Sequence, residues 1–277
     1  MNHKIGAHVS ISGGYLKALE RIIKIGGNCL QIFSTSPRGW NTPAVNEQSG
    51  KQFKIEAKKL NIDPIFFHAS YLINLADEGK GGHLSKQVLI AELKAASFMG
   101  VKGSIVHLGS FKNDKSENKY KTLIRHIKEV LKDAPDDTLF MMENAGNNKI
   151  GQTLDEIAQI IKDVNNGRMR ICLDTCHLFS AGYDLRTKEL LEKFMNVFDA
   201  KIGLDKIEVW HLNDSRDPFS SFRDRHENIG GGSIGLDEFK LIMNHPKFKA
   251  LPFIIETPGF DGNGPDKKNI DILKGLL

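Results

Sequence analysis

Leu139-Phe140-Met141-Met142-Glu143 is a short apolar run that stops on a carboxylate. Residues 154–164 then carry apolar side chains at helical spacing. A second apolar run, Met169-Arg170-Ile171-Cys172-Leu173-Asp174, again stops on a carboxylate. Strand, helix, strand in that order is a crossover unit that lays two strands parallel. The alternation continues outward in both directions. Further short β-branched or apolar runs occupy 5–9, 29–33, 65–68, 104–107, 207–212 and 252–256. Helical periodicity fills 86–99, 120–132 and 236–244 between them. Eight strand–helix units at a spacing of roughly 30 residues predict an α/β chain closed as a (β/α)₈ TIM barrel rather than an open sheet. The longest irregular stretches, 34–45, 74–83 and 213–235, each follow a strand. Each is therefore expected on the rim where barrels of this kind place their active sites.

The 277 residues contain no composition break or low-complexity linker, so one barrel domain over 1–277 is expected. At 40% hydrophobic and 26% charged the chain can bury a core of ordinary size. No apolar run reaches the ~18 residues of a membrane span. The start, Met1-Asn2-His3-Lys4-Ile5-Gly6, runs straight into a strand-like segment without an apolar signal region, which points to a cytoplasmic protein. Cys29, Cys172 and Cys176 are too few and odd in number for a disulfide framework and read as buried thiols. Cys172 and Cys176 are also one residue too far apart for the haem-attachment motif that Cys176-His177 suggests. The net charge of +4 suits a polyanionic partner without requiring one.

The chemistry lies at the strand ends. His68, His107, Glu143 and Asp174 end the third to sixth strands, His211 lies near the end of the seventh, and Glu256 ends the eighth. One histidine or glutamate in such a place reads as a hydrogen-bonded structural residue. Six on consecutive strands of one rim would repel or lie desolvated unless a cation holds them. His177 follows Asp174 by three residues, in the loop leading away from it. In Asp224-Arg225-His226 the two outer side chains of an extended segment point the same way and can chelate one ion. Alone, that last segment would read as a solvated charged loop. Imidazole with carboxylate and no clear cysteine ligand suits Zn²⁺, Mn²⁺ or Fe²⁺ rather than Mg²⁺ or Ca²⁺. Nine candidate ligands are enough for two or three ions if a carboxylate bridges. Paired ions of this kind serve in-line displacement at phosphorus.

Several segments together resemble the endonuclease IV family of apurinic/apyrimidinic endonucleases. They are Gly6-Ala7-His8-Val9-Ser10, His68-Ala69-Ser70-Tyr71-Leu72-Ile73-Asn74, Glu143-Asn144-Ala145-Gly146, Leu173-Asp174-Thr175-Cys176-His177, His211-Leu212-Asn213-Asp214-Ser215 and Asp224-Arg225-His226. The resemblance runs in order from Ile5 to Glu256, and the Leu-Asp-Thr-Cys-His and His-Leu-Asn-Asp-Ser segments are its most specific parts. It implies a (β/α)₈ barrel with three zinc ions that cuts duplex DNA on the 5′ side of abasic sites. The products would be a 3′-hydroxyl and a 5′-deoxyribose phosphate, and blocked 3′ ends would also be trimmed. It further implies that His68, His107 and Glu143 hold a first zinc. Glu143 would bridge to a second, completed by Asp174, His211 and Glu256, and His177, Asp224 and His226 would hold the third. Glu143 and Glu256 are the implied catalytic carboxylates, Glu256 orienting or deprotonating the attacking water. Arg38, Tyr71 and Leu72 match the family's wedge, which enters the base stack where a missing base makes unstacking cheapest. A monomer is expected.

One departure is His107-Leu108-Gly109-Ser110, where many members of the family carry proline after the histidine; it bears on loop stiffness rather than ligation. His8 lies near the site as a packing or supporting residue. His83 and His126 have no assigned role, and His3 and His245 read as surface residues. A metal-dependent sugar isomerase or epimerase of the related barrel class is the alternative enzyme, since it too sets Glu, Asp and His on strand ends. His177, Asp224 and His226 argue against it, because such an enzyme needs no third ligand set. A non-catalytic damage-binding protein is disfavoured because structural zinc sites are closed and cysteine-rich.

Overall fold

The computed structural model describes residues 3–112 and 114–277; Met1 and Asn2, part of the segment read as leading into the first strand, and Asn113 lie outside them. The barrel strands are β1 (Lys4–His8), β2 (Cys29–Phe33), β3 (Ile65–His68), β4 (Gly103–Val106), β5 (Leu139–Glu143), β6 (Met169–Asp174), β7 (Ile207–His211) and β8 (Pro252–Ile255). They close in the order β1-β8-β7-β6-β5-β4-β3-β2, with every pair parallel. The expected (β/α)₈ barrel is therefore the observed one.

The side-chain period of two explains how these strands build both a core and a site. Cys29, Phe66, Ile105, Met141, Cys172, Val209 and Ile254 point inward and form a packed plug inside the barrel. Two residues beyond each stands Gln31, His68, His107, Glu143, Asp174, His211 or Glu256, so these polar groups face the same interior one layer higher. The intervening residues, among them Leu30, Phe67, Val106, Met142, Leu173, Trp210 and Ile255, point outward into the main core under the helices. At β1 the plug narrows to Gly6, where any Cβ would press into the Cys29 backbone.

The surrounding helices are α1 (Tyr15–Lys24), α2 (Glu47–Lys59), α3 (Lys80–Met99), α4 (Glu117–Asp133), α5 (Leu154–Val164), α6 (Thr175–Ser180), α7 (Lys188–Lys201), α8 (Leu236–Asn244) and α9 (Lys267–Lys274). Several start on side-chain caps that satisfy amides left free by the first turn. Asn46 and Ser49 form a capping box on α2, and Thr153, Thr187 and Asp266 accept from Glu156, Leu190 and Asn269 on α5, α7 and α9. Helix α3 begins six residues earlier than its periodicity predicts and absorbs the end of the 74–83 loop. Its glycines explain the difference: a Cβ on Gly82 would run into the Asp77 carbonyl, so glycine there serves close approach of the preceding turn rather than a break. Among the described residues no helix is long and apolar enough to cross a membrane.

Candidate metal centre

The nine side chains singled out in the sequence converge at the carboxyl ends of the strands. Glu143, fully buried at the end of β5, is the hub. Its Oε2 lies 3.1 Å from His68 Nε2 and 3.3 Å from His107 Nε2. Its Oε1 lies 3.2 Å from His211 Nδ1 and 3.3 Å from His177 Nδ1. One carboxylate thus faces two histidine pairs, one through each oxygen. Asp174 is the register partner of His211 on the neighbouring strand, and its Oδ2 lies 3.8 Å from His211 Nδ1. Glu256 Oε2 approaches the same nitrogen at 3.6 Å.

His177 is not in a loop as the sequence suggested. It sits on the first turn of α6, because Asp174 Oδ1 caps that helix by accepting the His177 amide at 2.8 Å. Capping turns Oδ2 of Asp174 inward, toward His211. His177 Nε2 points the other way, 2.9 Å from Asp224 Oδ1, and His226 Nε2 lies 3.5 Å from that oxygen and 3.6 Å from Asp174 Oδ2. The long loop after β7 brings Asp224 and His226 here through a two-stranded ribbon in which Ser215 pairs with His226.

Four imidazoles are held through one ring nitrogen and present the other. His68 Nδ1 can donate to the Ala69 carbonyl at 2.9 Å, and His177 Nδ1 to the Asn144 carbonyl at 2.9 Å. His211 Nε2 can donate to Gln31 Oε1 at 2.7 Å, and His226 Nδ1 to the Glu256 carbonyl at 3.3 Å. This arrangement orients a histidine whose second nitrogen is a metal ligand. His226 Nε2 is buried, faces two carboxylates and has no hydrogen-bond partner within the protein. Ligand atoms fall within 4.8 Å of one another in groups that include His68–His107–Glu143, Glu143–Asp174–His211–Glu256 and Asp174–His177–His226.

The electrostatics fit a cation-binding set. Burial opposes charge on Glu143, but His107 and His211 hold its carboxyl well below the usual carboxylate range. Burial likewise opposes charge on Glu256, which His211 and His8 keep well below that range. Burial pushes His107 down to about 4. His68, although burial opposes its charge, is carried up to about 9 by its contact with Glu143 and the charge of Glu256. Beside these carboxylates His68 therefore takes a proton, the role a divalent ion assumes when it displaces it. The chemistry opens into a cavity of 430 Å³ whose lining includes His8, Tyr71, Asp224, Glu256 and Pro265. A larger opening, 690 Å³ against the outer face of α4, holds none of the nine residues and lies away from the strand ends.

Comparison with known proteins bears on family and fold. A family described as "Xylose isomerase-like TIM barrel" matches residues 19–276. "Probable endonuclease 4" of Halothermothrix orenii is 39% identical over 280 residues, covering 98% of this chain and 99% of the relative. The crystal structure of endonuclease IV from Thermus thermophilus superposes with a TM-score of 0.86 at 29% identity, covering 99% of this chain and 98% of the other. The chain belongs to the endonuclease IV family. A D-tagatose 3-epimerase-like structure, TM-score 0.74 at 19% identity over 99% and 97% of the two chains, shares the fold.

Sequence reasoning missed the groups that hold the ligands in this endonuclease IV family member. Gln31, fully buried on β2, touches three of the central groups: its amide nitrogen lies 2.5 Å from Glu256 Oε1 and 2.9 Å from His8 Nδ1, and its oxygen faces His211. The signal was one amide inside the apolar run Cys29–Phe33. Asn213 donates to Asp174 Oδ2 at 2.6 Å and accepts the Glu256 amide at 2.7 Å, while Asn144 Oδ1 accepts the Asp174 amide at 2.7 Å. Asp214 collects four backbone amides, from Ser215, Gly230, Gly232 and Ile234, and so closes the loop that carries Asp224 and His226. His8 lies 3.1 Å from Glu256, in the supporting place expected of it.

The three residues expected as a wedge lie on two linked loops. Tyr71 is 68% exposed and Leu72 is 38% exposed. Ser70 Oγ donates to the Pro37 carbonyl at 2.7 Å and thereby ties the Arg38 loop to the Tyr71 loop; Arg38 itself is exposed. Leu108, where family members often carry proline, is buried and its carbonyl accepts the Leu75 amide, so the strand-four loop is fixed by packing. His126 is buried and its Nδ1 contacts the Leu75 carbonyl at 2.9 Å. His3 and His245 are half-buried rather than surface residues; His245 packs against Phe248 and lies 3.3 Å from Glu192. All three cysteines are buried, and burial pushes the Cys176 thiol up to about 12.

Proposed function

We propose that this chain is a DNA-repair endonuclease that hydrolyses the phosphodiester bond 5′ to abasic sites in duplex DNA. It leaves a 3′-hydroxyl and a 5′-deoxyribose phosphate and removes blocking groups from 3′ ends. Three divalent ions are needed, zinc first, with Mn²⁺ or Fe²⁺ possible in part. His68, His107 and Glu143 hold one; Glu143, Asp174, His211 and Glu256 hold the second; His177, Asp224 and His226 hold the third. The supporting observation is the two-sided Glu143 carboxylate, whose Oε2 faces His68 and His107 while its Oε1 faces His211. When bound, such ions polarise the phosphoryl group, acidify water and neutralise the leaving oxygen.

The protein's own groups do the rest. Gln31 and His8 fix Glu256 Oε1, so the opposite oxygen is aimed into the cavity to orient the attacking water. The low proton affinity of Glu256 makes it an acceptor of that water's hydrogen bond rather than a store for its proton. Arg38, Tyr71 and Leu72 enter the base stack and hold the duplex kinked. The third group of ligands favours a nuclease over an isomerase or epimerase, which has no use for it. All nine ligands come from one chain, which supports action as a monomer, and we read the enzyme as cytoplasmic.

The test is incubation with an abasic duplex, with and without chelator, followed by identification of both product termini. Chelator-sensitive nicking with a 3′-hydroxyl is expected. An intact duplex under metal-replete conditions would exclude the assignment.

A further inference from the structure

Five aromatic side chains are more than a third exposed among the described residues: Tyr71, Phe98, Phe219, Phe222 and Phe260. Phe98 is on α3; the other four stand on loops that follow barrel strands, and of these Tyr71 lines the cavity. Tyr71 belongs to the wedge already described. Phe222, 48% exposed, follows β7, which is four strands from β3 in either direction round the closed barrel. The Phe222 loop therefore arises on the opposite side of the rim from the Tyr71 loop, and Phe222 stands two residues before Asp224.

Its backbone is held in an unusual state. Ser220 and Phe222 have φ of 57° and 55°, the left-handed region that a bulky side chain avoids. The tip is pinned there: the Ser220 amide donates to the Phe179 carbonyl at 3.1 Å and the Phe222 amide to the Ser180 carbonyl at 3.0 Å. Both acceptors lie on α6, the helix that carries His177. The Phe222 ring has no aromatic partner among the described residues, whereas Phe219 packs on Phe179 and under the Arg186 guanidinium. Cations flank the tip. Arg223 is exposed and lies 3.7 Å from Asp217, which already holds Arg225 at 2.5 Å, so two guanidinium groups share one carboxylate. An exposed ring beside surplus positive charge is the pairing by which proteins stack on bases while holding the phosphate backbone.

We infer that Phe222 is a second stacking platform for DNA, gripping a base of the opened duplex opposite the Tyr71–Leu72 wedge, with Arg223 on the adjoining phosphate. This rests on the nuclease reading above and adds a contact to it.

The experiment uses the metal-loaded full chain and an abasic duplex whose 5′ linkage is a non-hydrolysable methylene phosphonate, with fluorescence anisotropy as the readout. Phe222→Asn removes the ring but tolerates the left-handed backbone. It is expected to melt at the wild-type temperature or above and to weaken binding about tenfold. Phe222→Trp should bind within about threefold of wild type, and the added indole should change its emission when the duplex is added, measured against the background of Trp40 and Trp210. Wild-type affinity in Phe222→Asn, with Tyr71→Ala weakened in the same assay, would overturn the inference and leave the nuclease reading standing. An indole emission that the duplex does not alter would also overturn it. Failure of the wild-type chain to bind any duplex would remove the nuclease reading and this inference together.

Discussion

Replacing Asp214 by asparagine tests whether the third ligand group depends on a carboxylate that touches none of its members. Asp214 is fully buried, and its Oδ1 accepts the Ser215 amide at 2.8 Å and the Ile234 amide at 2.9 Å. Its Oδ2 accepts the Gly230 amide at 3.0 Å and the Gly232 amide at 3.1 Å. Asparagine has the same shape but one oxygen. Its carbonyl will stay with the two buried donors, Ser215 and Ile234, which water cannot reach. Its NH₂ must then face the Gly230 and Gly232 amides, donor against donor. Two hydrogen bonds to a charged acceptor are lost, each contributing about 1.5–3 kcal/mol. Gly230 is exposed and can take water instead, so the lower end applies, about 3 kcal/mol in all. For a chain of this size that is a fall in melting temperature of roughly 6–10 °C. The loop also loosens where it carries Asp224 and His226, so metal content should drop from about three to about two per chain. Calorimetry and elemental analysis after dialysis read both effects. A variant melting within about 2 °C of wild type with full metal content would show that the loop is held some other way.

Glu143→Ala should lower cleavage at least about a hundredfold while duplex binding persists, since the DNA-contacting loops are untouched; wild-type-like turnover would remove Glu143 from the reaction. Elemental analysis of dialysed active protein should give about three metals per chain, and one equivalent would favour the isomerase alternative. Adding chelator should lower the melting temperature by roughly 20 °C, because each of three ions bound a thousandfold above its dissociation constant stabilises by about 4 kcal/mol; an unmoved transition would mean that the folded chain does not depend on them. Glu92 supplies a pH test. It is buried on α3, burial pushes it up to about 7, and the hydroxyls of Ser34 and Ser104 donate to it. Its folded pKa lies above the ordinary 4.5, so its stabilising contribution is complete below 4.5 and vanishes as pH rises through 7. That is a loss of about 3 kcal/mol across the window. Glu92→Gln, which does not titrate, should therefore gain on wild type in melting temperature between about pH 5 and pH 8, and a pH-independent difference would contradict the assignment.

The barrel and most of its centre were legible in the chain because both obey a local rule. A strand that fills a barrel must alternate, so Met141 and Glu143, Cys172 and Asp174, or Val209 and His211 declare their shared face by spacing alone. His107 and Glu256 stand one residue past the hydrogen-bonded strands, which costs nothing, since they keep the same alternation. Asp224 and His226 were legible for the same reason, an extended pair pointing one way. His177 joins the cluster from a helix rather than from the expected loop, because the cap that turns its segment into a helix is the Asp174 carboxylate, a group the spacing had already given to the centre.

What no local pattern carried is who meets whom across the barrel. Gln31 touches His8, His211 and Glu256, residues 23, 180 and 225 positions away in the chain. Asp214 finds its amide donors only after the loop has folded back, and Ser70 reaches Pro37 only because β2 and β3 are neighbours. The residue sequence determined which faces are polar and which side chains can bind a cation. Only closure of the barrel decided the distances among them, because a hydrogen bond or a coordination sphere depends on ångström-scale placement of groups on different strands, and register fixes that placement.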